Sequence, residues 1–582
     1  MRIKTFALLV AWLFLACACE MPGKCTPGND AIDCPQPGAF CYGGKQAEAK
    51  TGVCVYGELS SAGKPAAKIT TWKLVLHNQT EVAPLLWEKK DEAGAAGWEK
   101  TNVGMAEATV EVEVVGLEAG KALRVWTGHG VAAVCTPPAE RKLAGERWTC
   151  SFKEGWAASS HAAETVEVRA QAGEADARVR SYRVLCSHNL TGLANTSVTQ
   201  PLAMSAKRLL FGTSLGETEA DSSLYVFDTA ACTLVGSLHT GTVQGPMVAL
   251  GDTGRVAVAI GSHGPPGREG QRLSLVDVSA KPDFVHANRD CGGNFVFDQG
   301  LSLLDMADAS TGTPWRLMAP ANRPVWDDAR LAVYTPDAES NHCDWYEWTS
   351  YCFRAPMSRD TNKAVVGVCE TQGSPSETFI QGRVFDATKG IWEFGPAAML
   401  GFSLKEVSPL AVVEKNFWVK DLSFESPVAV DSQGRVYFAI KPGGSDGYHL
   451  RLEVPLSENK GHFEANSVPF DGAPVGSPIL GEPMAGGEGK VYLVTTTGRV
   501  LAYGAELGEP LWTHNLGIHI SPTAQPVLSG DTLWVVGAQG EIRGIRVGGH
   551  GLNRMAQWPK AFRDNCNTSS RLSTPTNLQS CF

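Results

Sequence analysis

The sequence predicts an all-β protein: a β-propeller of seven or eight four-stranded blades, preceded by a β-sandwich and a small disulfide-rich module. Three observations predict it. The 582 residues include 62 Gly and 33 Pro but only 19% charged residues, a turn-rich balance that suits sheets and excludes disordered, collagenous and coiled-coil chains. Apolar and polar residues alternate in short runs such as Val110-Glu111-Val112-Glu113-Val114, the period of a half-buried strand. The C-terminal two-thirds repeats itself at a spacing of about fifty residues, the length of a propeller blade. A net charge of −10 with no basic stripe gives nucleic acid no footing as a partner. Sixteen cysteines suit an oxidising compartment.

The N-terminus comes first in order. Arg2 and Lys4 precede the apolar run Phe6 to Leu15, and the small residues Ala16-Cys17-Ala18-Cys19 follow. Residues 1–18 therefore read as a secretory signal, with an apolar run too short to span a bilayer. The cysteine at the cleavage site resembles the lipobox of bacterial lipoproteins, in which the new N-terminal cysteine carries the lipid. Cleavage before Cys19 leaves fourteen further cysteines, an even number, whereas cleavage before Cys17 leaves fifteen. Cys19 is thus the preferred lipidation site and Cys17 the alternative. The resemblance implies a membrane anchor through the N-terminal lipid. With no Asp after either cysteine it also implies the outer membrane of a bacterial envelope, facing the periplasm or the cell surface. Plain secretion through the site Ala16-Cys17-Ala18 is the rival.

Residues 19–64 hold Cys25, Cys34, Cys41 and Cys54 among Gly, Pro and Asp. So short a segment needs staples, and four cysteines allow three connectivities. Zinc is disfavoured because no tight C-x-x-C pair and no nearby His is present. Residues 65–185 carry several alternating runs separated by turn-rich pieces, the pattern of an immunoglobulin-like antiparallel sandwich. Cys135 and Cys150 flank one such turn and are a candidate local disulfide.

Residues 186–582 repeat the phrase small-Pro, apolar strand, Asp/Gly turn, apolar strand. It occurs at Ser426-Pro427, Ser477-Pro478 and Gln525-Pro526, whose prolines stand 51 and 48 residues apart. A third strand follows in several units, as in Gly498-Arg499-Val500-Leu501-Ala502-Tyr503. Four strands in 40–50 residues is blade arithmetic, and 397 residues accommodate seven or eight. Closure is expected to mix strands from both ends of the repeat. The tail from Trp558 to Arg571 is expected to return beside residues 186–211 and complete the first or last blade.

Asp386-Ala387-Thr388-Lys389-Gly390-Ile391-Trp392 and Ala505 to Trp512 look like the tryptophan-docking motif of PQQ-like propeller repeats. That resemblance implies that Trp392 and Trp512 pack between neighbouring blades. The tail Trp558-Pro559-Lys560-Ala561-Phe562-Arg563-Asp564-Asn565 resembles the closing motif of secreted bacterial propellers of this type. The motifs are structural, and the chain lacks the vicinal cysteine pair of the quinone enzymes, so no quinone and no other cofactor is expected.

Chemistry is sparse. No nucleophile elbow, zincin motif, phosphate loop, calcium loop or haem-attachment motif is present, so no catalytic residue and no metal ligand is assigned. His342, Asp344, Trp345, Tyr346, Trp348 and Tyr351 lie around Cys343 and Cys352. A Cys343–Cys352 disulfide would pin this segment as an aromatic binding loop for sugar or protein. The plainer alternative is an insertion that covers a blade edge. Cys566 and Cys581 are close enough in sequence to close the C-terminal tail. The expected function is a lipid-anchored envelope scaffold or binding protein presenting its propeller to a protein or polysaccharide. The rival is a hydrolase or lyase with its site at the propeller's central mouth.

Overall fold

The computed structural model describes short strands at 24–25, 39–42 and 52–56, most of 67–90 and 107–349, strand backbones between 352 and 393, most of 422–568, and residue 581. The signal and lipidation site, with Cys17 and Cys19, lie outside these residues, as do Cys34 and Tyr351. The side chains of Cys25, Cys41, Cys54, Cys343, Cys352 and Trp392 also lie outside them. Regular structure among the described residues is strand, apart from one 3-10 turn at Gly251–Thr253. No helix among them is long and apolar enough to cross a membrane.

The first three strands form one small sheet, whose register sets Cys41 opposite Cys54. A two-sheet sandwich follows. Its five-stranded sheet runs, edge to edge, Thr80–Val82, Lys68–Leu76, Ala108–Val115, Glu146–Phe152 and Val134–Thr136. Its four-stranded sheet runs Glu88–Lys90, Asp176–Tyr182, Val166–Ala172 and Leu123–Thr127. The alternation read from the sequence turns Val110, Val112 and Val114 into the same core as Val166, Val168 and Ala170, because successive strand side chains point to opposite faces. Cys135 and Cys150 stand directly opposite on neighbouring strands and are disulfide-bonded, with Cα atoms 3.9 Å apart.

Seven antiparallel sheets of four or five strands follow among the described residues, and they make the β-propeller. In chain order, the first six span 196–239, 242–290, 302–349, 352–393, 422–470 and 479–515. The seventh joins Val527–Ser529, Thr532–Val536 and Glu541–Arg546 to Val184–Asn189, a strand from the other end of the repeat region. The ring therefore closes by strand exchange, and no edge is left open at the seam. A disulfide not foreseen in the sequence reinforces it. Cys186 on the closing strand is bonded to Cys232 in a hairpin turn of the first sheet, with Cα atoms 5.7 Å apart. Glycine is obligatory at one point of the repeat phrase: Gly498 has φ +77°, and a Cβ there would meet the Ile518 carbonyl oxygen at 2.3 Å.

Two expectations are corrected. The segment His342–Thr349 is a strand paired with Asp328–Thr335, and it forms the outer edge of the third sheet. Cys352 falls in the fourth sheet, opposite Cys369. Aromatic residues favour the pleated backbone, so His342, Asp344, Trp345, Tyr346 and Trp348 form part of a ladder rather than a loop. The C-terminal tail does return beside residues 186–211, where Asn567 and Asn565 bond Leu202 and Met204, but it adds no strand to a sheet. It bonds instead to edge strands of five sheets.

Candidate functional site

The axis is built from backbone groups that a propeller leaves unpaired. The strands Ala203–Ser205, Thr242–Ala249, Ala429–Val430, Ile479–Gly481 and Val527–Ser529 each pair within their sheet on one side only. Left bare, each buried N–H or C=O costs about 1–3 kcal/mol. The tail supplies the partners. Val430 in the fifth sheet exchanges bonds with Trp558, at 2.7 and 2.9 Å. The Leu480 N–H of the sixth donates to Pro559 O at 2.7 Å. The Asn565 carboxamide brackets Leu528 of the seventh, accepting from its N–H at 3.2 Å and donating to its carbonyl at 2.6 Å. Met204 of the first sheet donates to Asn565 O at 2.7 Å and Ala249 of the second to Cys566 O at 2.9 Å. Five consecutive sheets are thus joined through one peptide.

Polar residues of the tail are buried because they make these bonds. Lys560, Asp564, Asn565 and Asn567 are all fully buried. The Lys560 ammonium nitrogen donates to the Asp564 carbonyl at 3.0 Å and to Asn567 Oδ1 at 3.2 Å. Burial lowers its pKa to about 7, against the opposing pull of Asp564. Burial likewise pushes the Asp564 carboxyl up, although Arg563, two bonds from Thr568 and the Lys560 charge oppose it. Those bonds are from the Thr568 hydroxyl and, at 3.0 Å, the Thr568 N–H. Asp564 and Thr568 thus hold one turn of the tail. Cys566 and Cys581 are disulfide-bonded and fully buried beside Asp564. Their sulfurs are spent on each other and offer no metal ligand.

A cleft of about 330 Å³ is lined by the fifth and sixth sheets and Asn553. Asp431 accepts from the Gln433 and Arg435 N–H groups at 2.8 and 2.9 Å, closing the Asp/Gly hairpin turn of the repeat. Its other oxygen accepts from Arg435 Nε at 2.5 Å. Arg435 also pairs with Glu506, whose carboxylate is 72% exposed, across the two sheets. The Tyr437 hydroxyl donates to Ala505 O at 2.9 Å, and burial next to Asp431 holds the phenol protonated far above its ordinary range. These groups are engaged with one another.

The third cluster joins sandwich to propeller. Glu164 pairs with Arg183 at 3.3 Å and with Lys490 of the sixth sheet. Arg183 lies 3.9 Å above the Trp512 ring, which also packs at 6.2 Å from Tyr492. Trp512 therefore touches Arg183, the residue that leads into the strand Val184–Asn189. The backbone of Trp392 pairs with Phe385 within the fourth sheet. Arg546, fully buried, bonds Asp531 at 2.6 Å and the Ala157 carbonyl of the sandwich side at 2.7 Å.

No protein-family model matches the chain, and no curated protein does. Solved structures similar to it include the computationally designed Ika8 protein (10% identity, 63% of this chain and 100% of that one, TM-score 0.35). BamB from Moraxella catarrhalis matches at 12% identity over 62% of this chain and 97% of that one, with TM-score 0.29. BBS1N, solved in complex with ARL6DN, matches at 9% identity over 63% and 93%, with TM-score 0.33. At these scores the likenesses add nothing to what the sheets themselves show.

Proposed function

We propose that the protein is a lipid-anchored scaffold or binding protein of the bacterial envelope, related to the PQQ-like propellers but without a quinone site, that presents its propeller to a protein or polysaccharide partner. The observation that carries this reading is the filled axis. A hydrolase or lyase at the central mouth would need convergent polar side chains open to substrate. Lys560, Asp564 and Asn565 do converge there, but they are buried and spent on the tail and on the inner strands. Among the groups that face solvent are Glu506 at the cleft, Arg554 and Met555, the last 76% exposed. The anchor rests on the signal and on Cys19.

Two measurements test the reading in cells. The full chain should incorporate labelled palmitate, and Cys19→Ser should abolish it. A photo-reactive amino acid at Glu506 should give a discrete adduct with one envelope protein or glycan. An unlipidated chain that forms no adduct would overturn the proposal.

A further inference from the structure

We propose that Lys560 and Asn567 become joined by an intramolecular amide bond, a self-formed cross-link that locks the axial turn of the tail. The geometry is that of a reactive pair. The Lys560 nitrogen lies 3.2 Å from Asn567 Oδ1, one bond from the carboxamide carbon it would attack. The Asp564 carbonyl accepts from Lys560 Nζ at 3.0 Å and from the Asn567 N–H at 3.1 Å, which holds the two side chains on one turn. Asn567 Nδ2 donates to the Leu202 carbonyl at 3.0 Å, so the carboxamide is fixed with its oxygen toward the lysine. Both side chains are fully buried, which keeps out the water that would compete as nucleophile.

The chemistry balances without a co-reactant. The Nζ lone pair attacks Cγ of Asn567, the Nζ–Cγ bond forms, and the Cγ–Nδ2 bond breaks. Nδ2 leaves as ammonia, taking up a proton that Nζ gives away, and nothing is oxidised or reduced. Attack requires the neutral amine. Burial supplies it, with the Lys560 pKa lowered to about 7 from the ordinary lysine range. The Asp564 carboxyl, which burial pushes up, lies within electrostatic reach of the lysine. The product would exchange a costly buried amine for a neutral amide.

Peptide mapping of the folded, full-length protein tests this. After reduction and alkylation, trypsin should fail to cut at Lys560. The peptide Met555–Arg563 should appear covalently joined to Asp564–Arg571, at their summed mass less one ammonia. In Lys560→Arg the joined species should vanish. Trypsin cutting at Lys560, with Asn567 recovered free or as aspartate, would overturn the proposal.

Discussion

His514 shows how a single side chain reports on the junction between sandwich and propeller. It is half-buried on the strand Trp512–Asn515, near Arg183. Burial, and then the Arg183 charge, lower its pKa to about 4 from the ordinary value near 6.5. Between those values the unfolded chain takes up a proton that the folded chain refuses. Stability is therefore complete above the unfolded pKa and falls as the pH drops from about 6.5 toward 4, by up to about 3 kcal/mol. Denaturant unfolding across that window should show the slope, and His514→Gln should flatten it. An unchanged slope in the variant would place the acid sensitivity elsewhere. Residue-scale chemistry was the least legible part of the sequence. The sequence places the tail beside residues 186–211 but assigns no role to Lys560, Asp564 or Asn567, because composition does not say that unpaired inner strands await them.

The elements themselves were largely legible. Alternation located the sandwich strands, and the small-Pro phrase located the inner strands at Ala429–Val430, Ile479–Gly481 and Val527–Ser529. The strand His342–Thr349 was missed because its crowd of aromatics suggested a binding loop, although aromatics also favour strands. The Cys186–Cys232 bond was missed for another reason. Short spacing in sequence points to local pairs, whereas these two are 46 residues apart and meet only because the ring closes. A loop of that size is worth about 3–4 kcal/mol on the chain-entropy account. The double variant Cys186→Ser, Cys232→Ser should lose about that much in denaturant unfolding while keeping its sheet signal by circular dichroism. A loss within error of zero would mean that the seam holds by strand pairing alone.

At the scale of the whole molecule, the ring is closed three times over: by strand exchange in the seventh sheet, by the Cys186–Cys232 bond, and by a tail that bonds the inner edges of five sheets. The claim that the tail is a structural axis, and that partners therefore meet the propeller from outside, is the centre of the account. It is tested most directly by native-state hydrogen exchange. The amides of Met204, Ala249, Val430, Leu480 and Leu528 each donate to the tail. They and the peptide 558–568 should exchange only through global unfolding, with the slowest amides of the sheets. Rapid exchange of the tail and of those five amides, with the outer strands still protected, would contradict the account.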